Sequence, residues 1–135
     1  MIPDPCKAMF AGGSLFFMGT AGPDGTPNVA PMLQAWWADD RTLVIGDMMM
    51  KATAANARAT GKVCLSAYDA DTDKAYKLVG TAVYETEGPR YDLAQAELAK
   101  KAPDKRFNGV VAVTVKAVYD QSRGPNAGSL IAEVG

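Results

Sequence analysis

The sequence predicts a mostly β protein, a β-barrel of six antiparallel strands with two or three short peripheral helices. Three observations carry this prediction. β-Prone segments bounded by turn residues recur along most of the 135 residues. Hairpin-length turns join more of these segments than helical crossovers do. The chain also lacks a G-x-G-x-x-G motif and a P-loop, which argues against a doubly wound nucleotide-binding sheet. A chain of this length is expected to form one domain, residues 1–135.

The first predicted elements are a short helix and a strand. Asp4 followed by Pro5 is typical of a helix start, with the aspartate as cap and the proline at the first helical position. A helix is therefore predicted over residues 5–11, where two glycines follow. The apolar run "SLFFMGT" (14–20) is predicted as the first strand, and "AGPDG" as the turn of a hairpin.

The return segment, "TPNVAPMLQAWW" (26–37), contains Pro27 and Pro31, which cannot donate to a sheet ladder. One side of this strand must therefore be locally unpaired. The prolines indicate either a sheet edge or bulge, or a place where the backbone faces a ligand. On this segment alone the edge or bulge is the better interpretation.

The stretch "GDMMMKATAAN" (46–56) follows the third strand, 42–48, and leads directly into an alanine-rich helix. The start of a helix presents free backbone N–H groups that attract anions. Lys51 adds a positive charge, and Thr53 adds a hydroxyl that can cap the helix or bond a phosphate oxygen. Each residue alone has a plain structural interpretation, such as a solvated lysine or a helix cap. Their coincidence favours an anion site, and phosphate is the expected ligand.

The remaining pattern predicts two more strands, an amphipathic helix, a sixth strand and an unassigned tail. The alanine-rich helix begins near Lys51 and stops at Gly61. Alternation and β-branched content predict the last three strands, and apolar spacing predicts the second long helix. In chain order these elements are the strands 62–69 and 74–86, the helix 88–103 and the strand 108–120.

The composition restricts the possible functions. The chain has no histidine, so Ser-His-Asp and Cys-His nucleophiles and the usual zinc and haem-iron sites cannot be assembled. No catalytic residue and no metal site is therefore assigned. The net charge of −1 and the absence of a long apolar run predict neither nucleic-acid nor membrane partners, and the expected location is cytoplasmic. Cys6 and Cys64 are expected as reduced thiols, with Cys64 buried in the core.

Three segments resemble the FMN-binding split β-barrel proteins related to pyridoxamine 5′-phosphate oxidase, especially their small single-domain members. They are "DGTPNVAPM", "TLVIGDMMMKATAANARATGKVCLSAYD" and "YKLVGTAVYETEGPRYD". The resemblance covers roughly residues 8–120. Its most specific element is a lysine and a threonine before an asparagine, followed seven residues later by a strand valine. Thr53, Asn56 and Val63 match it.

The resemblance implies a homodimer with two FMN molecules at the subunit interface. On the matching positions, Lys51 and Thr53 would hold the phosphate, although Ala52 separates this pair where family members commonly have them adjacent. The backbone of residues 48–52 would assist, that is Met48, Met49, Met50, Lys51 and Ala52. The ring would lie along Ala30, Pro31, Met32 and Leu33. Aromatic side chains of the partner often cover the flavin, and the candidates are Trp36, Trp37 and Tyr119.

The expected function is that of an FMN-dependent oxidoreductase or electron carrier with a small-molecule or protein redox partner. Pyridoxamine phosphate oxidation itself is not expected, because the arginine-rich substrate site of those enzymes has no counterpart here. Haem-degrading relatives commonly bind iron through histidine, which this chain lacks. Two alternatives stay open. One is an F420-binding relative, and the other is a cofactor-free split barrel that acts as an interaction module.

Overall fold

The computed structural model describes residues 1–134, which form an antiparallel sheet of eight strands and three helices. The helices are α1 (Asp4–Ala8), α2 (Ala52–Ala59) and α3 (Pro89–Ala99). The strands are β1 (Phe16–Ala21), β2 (Pro27–Met32), β3 (Ala35–Trp37), β4 (Thr42–Asp47), β5 (Lys62–Asp69), β6 (Lys74–Glu85), β7 (Gly109–Asp120) and β8 (Leu130–Glu133).

The sheet has the strand order β2-β1-β5-β6-β7-β4-β3, and β8 pairs with β7 in addition. It curls into a half-barrel, which confirms the predicted mostly β class. The predicted count of six strands is wrong. The segment 26–37 divides into β2, which pairs with β1, and β3, which pairs with β4 at the other end of the sheet order. The unassigned tail supplies the eighth strand.

The two prolines of β2 lie on an edge strand. Within residues 1–134, β2 pairs with β1 alone, with Pro31 opposite Phe17 and Pro27 opposite Ala21. A strand with one neighbour tolerates residues that cannot donate on its free side. The edge interpretation of this segment is therefore confirmed.

The helices start and end close to their predicted positions, with corrections at the boundaries. Pro3 occupies the N-cap position of α1, so Asp4 is the first helical residue and makes no capping hydrogen bond. The predicted helices also extend beyond the observed ends of α1 and α3. None of the helices in residues 1–134 has both the length and the apolar character needed to cross a membrane.

The core consists of two clusters on opposite sides of the sheet. Inside the curl, alternate residues of the strands pack together, for example Phe16, Met18 and Leu65. On the other side, α3 covers β4 and β7 with a smaller cluster that comprises Val44, Tyr91, Ala94, Leu98, Phe107 and Val110. Each large apolar side chain buried in this way contributes roughly 1.5–3 kcal/mol.

The two cysteines are free thiols, one buried and one exposed. Cys6 is buried, and this burial raises the pKa of its thiol to about 12. Cys64 is exposed, so its predicted place in the core is wrong. The alternation of β5 turns Val63 and Leu65 inward and leaves Cys64 outward.

Gly61 ends α2 with a φ of +65°, and a Cβ added there would lie 2.8 Å from the carbonyl oxygen of Ala82. Gly12 has the same φ of +65° but open space around it. We expect Gly12→Ala to lower the free energy of unfolding by about 1 kcal/mol, the cost of the left-handed conformation. Gly61→Ala should lower it by at least about 1 kcal/mol more because its methyl group meets backbone. Urea unfolding measures both, and equal losses would contradict the steric explanation.

Candidate functional site at the corner between β4 and α2

The turn between β4 and α2, residues 48–51, is held by hydrogen bonds that involve Asp47 at the end of β4 and Asn108 just before β7. Asp47, the last residue of β4, accepts the Met50 N–H on its Oδ1 at 2.7 Å. The carbonyl oxygen of Asp47 accepts the Asn108 N–H at 2.8 Å. The Asn108 side chain in turn donates from Nδ2 to the Met48 carbonyl oxygen at 3.1 Å. The turn is therefore anchored at its start and in its middle.

The first turn of α2 offers backbone donors. Lys51 is the N-cap residue and makes no side-chain capping bond. The first hydrogen bond back to the cap runs from the Ala55 N–H to the Lys51 carbonyl oxygen at 3.0 Å. The amides of Ala52, Thr53 and Ala54 precede this bond and lie at the positive end of the helix dipole. This is the donor arrangement that an anion requires.

Thr53 joins α2 to the edge of the sheet. Its side chain is buried, and its Oγ1 accepts a hydrogen bond from Asn28 Nδ2 at 3.1 Å. Because Asn28 supplies the donor, Thr53 keeps its own hydroxyl proton for a second partner. Asn56 makes a similar link, from its Nδ2 to Thr20 Oγ1 at 3.1 Å. Thr53 does not cap the helix, which removes one of the two roles considered for it.

Lys51 carries a charge that is not neutralised by a neighbouring carboxylate. Its side chain is exposed at the mouth of the corner. The ion pairs among residues 1–134 join Arg90 to Glu85, Lys100 to Glu97 and Arg123 to Asp73, and none includes Lys51. The ammonium group is therefore available to an external anion.

A cleft of about 670 Å³ opens beside the corner, within the size range of small-molecule sites. One wall is the turn and the start of α2, and the other is the end of β2 with the residues after it. The structure brings all ten predicted residues to this cleft: Ala30, Pro31, Met32, Leu33, Met48, Met49, Met50, Lys51, Ala52 and Thr53. The Met50 amide is already engaged by Asp47, so its N–H is not among the available donors.

Sequence reasoning missed three lining residues, Asn28, Gln34 and Gly46. Asn28 had a local signal, because it alternates with Ala30 along β2 and faces the same side. Gln34 and Gly46 meet through the hydrogen bond from the Gly46 N–H to the Gln34 carbonyl oxygen at 2.9 Å. This bond forms only when the segment after β2 crosses to β4.

Tyr84, on β6, lies behind the corner. Its hydroxyl donates to Asp47 Oδ2 at 2.5 Å, and the Arg58 guanidinium lies 4.1 Å from its ring centroid. Burial, followed by the hydrogen bond to Asp47, raises the pKa of the Tyr84 phenol to about 12. The folded protein therefore stabilises the protonated phenol of Tyr84.

The aromatic residues considered as flavin covers have partners within their own chain. The Trp36 ring lies 6.0 Å from the Phe107 ring. Trp37 donates from Nε1 to the Lys7 carbonyl oxygen at 3.0 Å. Tyr119 lies beneath the Lys77 ammonium at 4.6 Å. None of the three lines the cleft.

The outer face of β1, β2 and β5 carries an apolar groove of about 580 Å³. Phe17 and Val29 project from it with 45% and 68% of their surfaces exposed, and Cys64 of β5 lines it opposite Gly19 of β1. Contiguous exposed apolar surface of this kind is typical of interaction sites.

The curled antiparallel sheet and the strand-to-helix corner place the chain in the class of split β-barrel proteins. The chain belongs to the pyridoxamine 5′-phosphate oxidase family, whose family model matches residues 2–122. An uncharacterized protein of Methanocaldococcus jannaschii is 33% identical over 121 residues, which are 88% of this chain and 80% of that protein.

Solved structures share the fold. HupZ of Group A Streptococcus aligns with a TM-score of 0.81 and 26% identity, over 95% of this chain and 100% of that chain. An FMN-binding protein from Syntrophomonas wolfei aligns with a TM-score of 0.69 and 15% identity, over 79% and 76% of the two chains. An F420 reductase aligns with a TM-score of 0.65 and 17% identity, over 87% and 98%. The last two likenesses concern the fold alone.

The raised pKa of Tyr84 predicts a pH dependence of stability. The unfolded phenol releases its proton near the ordinary value of 10.0, whereas the folded one holds it to about 12. The stabilisation is therefore complete below pH 10 and is lost as the pH rises through about 12. We expect the difference in free energy of unfolding between wild type and Tyr84→Phe to shrink over this interval. Urea unfolding at a series of pH values measures it, and a constant difference would show that the fold does not hold this proton.

Proposed function

We propose that the protein binds FMN in the cleft beside the corner and acts as a flavin-dependent oxidoreductase or electron carrier. One observation carries the proposal: an uncompensated lysine, a hydroxyl and the free amides of a helix start converge at one end of a largely apolar cleft. A ligand with an anionic end and a flat apolar body suits this division.

The residues present fit the two parts of FMN. Lys51, the Thr53 hydroxyl and the first amides of α2 would hold the phosphate through charge-assisted hydrogen bonds. Ala30, Pro31, Met32 and Leu33 would line the ring, and they offer small or apolar contacts. Bound flavin supplies the hydride or electron transfer. The contribution of the chain is to bind, orient and shield the coenzyme.

Family membership and the fold shared with an FMN-binding protein support FMN as the ligand. The fold shared with an F420 reductase makes the deazaflavin F420 the second candidate for the same cleft. A cofactor-free interaction module is the third, and it predicts a colourless protein that takes up neither compound.

We further propose that the protein is a homodimer that buries the apolar groove of β1, β2 and β5. Phe17 and Val29 lie on this face, which is continuous with the β2 edge that borders the cleft. Burying them against a second copy would remove apolar surface from water, the main favourable contribution to association.

The visible absorption spectrum of purified protein tests the proposed ligand. We expect the spectrum of oxidised flavin, bleached when NADH or NADPH is added without oxygen if the protein is a reductase, and persistent if another protein reduces it. An F420 spectrum would replace FMN with the second candidate. A colourless protein that does not take up added FMN would overturn the proposal.

Lys51→Ala should weaken FMN binding by about 1–3 kcal/mol, the scale of a charge-assisted hydrogen bond. Fluorescence titration of the apoprotein measures the affinity. Lys101→Ala is the matched control, because Lys101 is an exposed lysine in the turn after α3. Unchanged affinity in Lys51→Ala, or an equal loss in both variants, would reject the role of Lys51.

Phe17→Asp and Val29→Asp should convert the dimer into monomers because each places a charge inside the proposed interface. Light scattering after size-exclusion chromatography measures the mass. Val83→Asp is the control, since Val83 is 51% exposed but lies on β6, away from the groove. A monomeric wild type, or a dimer that survives both substitutions, would contradict this interface.

A further inference from the structure

We propose that Asp47 and Tyr84 form a positioning pair, which holds the turn of residues 48–51 in the shape that receives the phosphate. The inference rests on the proposed function, since it assigns the residues that prepare its anion site. Neither side chain lines the cleft. Both therefore act through the backbone of the turn and not by contact with the ligand.

The Asp47 carboxylate has two different partners, one for each oxygen. Oδ1 accepts the Met50 N–H at 2.7 Å, and Oδ2 accepts the Tyr84 hydroxyl at 2.5 Å. Only 3% of Asp47 is exposed to solvent. A buried carboxylate is stable only when its oxygens are hydrogen-bonded, and such bonds to a charged acceptor are the strong ones. The pair of bonds fixes the orientation of Asp47, and with it the position of the Met50 amide.

Tyr84 contacts both the strand before the turn and the last turn of the helix after it. Its hydroxyl holds Asp47 at the end of β4, and its ring packs under the Arg58 guanidinium on α2. The ring reaches this place because residue 109, directly opposite Asp47 in the register of β4 and β7, is a glycine. A Cβ at Gly109 would lie 2.5 Å from Tyr84 Cε2. The strand before the turn and the helix after it therefore contact the same side chain, that of Tyr84.

This arrangement prepares the donors before any ligand arrives. The amides at the start of α2 bind an anion well only if the helix begins at a fixed place and direction relative to the cleft. The turn that sets this direction is anchored by the Met50 amide. Preorganised donors avoid the ordering cost that binding otherwise includes. The pair should therefore matter for ligands that carry a phosphate and little for those that lack it.

The experiment compares FMN with riboflavin, which has the same ring system but no phosphate. The ratio of the riboflavin Kd to the FMN Kd isolates the phosphate site. We expect Asp47→Ala to lower this ratio at least tenfold and Tyr84→Phe to lower it severalfold. Asp47→Asn should restore most of the ratio, because its amide oxygen can still accept the Met50 N–H.

A matched control separates positioning from general stability. Tyr91 is a buried tyrosine of the α3 cluster, and its hydroxyl donates to the Phe107 carbonyl oxygen at 2.7 Å. Tyr91→Phe should lower the melting temperature and leave the ratio unchanged. An unchanged ratio in Asp47→Ala, or an equal drop in Tyr91→Phe, would overturn the positioning role. If Asp47→Ala does not fold, Tyr84→Phe decides the question: a lowered ratio supports the positioning role, and an unchanged ratio overturns it.

Hydrogen exchange of the Met50 amide in the apoprotein tests the pair without flavin. Tyr84→Phe should speed this exchange relative to wild type, and Tyr91→Phe should not. Unchanged exchange in Tyr84→Phe would overturn the pair even if the wild type binds FMN. A wild type that binds no flavin would overturn the proposed function and the phosphate role together, whereas faster Met50 exchange would still establish the contact itself. The two failures are therefore distinguishable.

Discussion

The corner depends on the burial of one charged group, the Asp47 carboxylate. A carboxylate removed from water must be compensated by donors, and the fold provides these from the following turn and from β6. Asp47 in turn holds the Met50 amide, and the pairing of β6 with β7 places Tyr84 within reach of its second oxygen. The cleft beside the corner takes its shape from this local arrangement.

The sequence predicts where most strands lie because alternation is a local signal, and the two prolines of β2 correctly indicate an edge. Alternation alone does not fix which side of a strand faces inward: in β5 the prediction places Cys64 in the core, whereas the structure buries Val63 and Leu65. The division between β2 and β3 could not be read in the same way. The linking residues, Leu33 and Gln34, contain no glycine or proline, and the chain leaves β1 for β4 only because the curled sheet brings its two ends close.

In the site, too, residues close together in the sequence could be predicted, whereas residues that meet only through the fold could not. Lys51 and Thr53 adjoin a strand end and a helix start, so their association is visible within a few residues of sequence. Asn28 meets Thr53 across 25 residues, and Tyr84 meets Asp47 across 37. Nothing in the sequence around Tyr84 indicates that its hydroxyl donates to the aspartate that holds the turn. Contacts of this kind follow from strand register, which a single sequence does not specify.

The donors at the corner are of two kinds, one fixed and buried and the other exposed and flexible. Thr53 is buried and fixed by Asn28, whereas Lys51 is the exposed cap residue and has a flexible four-carbon stem. The hydroxyl and the helix amides thus supply direction, because they cannot move far. The ammonium supplies attraction without a fixed geometry, and salt screens such an exposed charge more than it screens the buried donors. If the proposed phosphate site exists, α2 would fix the position of the phosphate and Lys51 would attract it, so the alanine inserted between Lys51 and Thr53 would leave the position of the site unchanged.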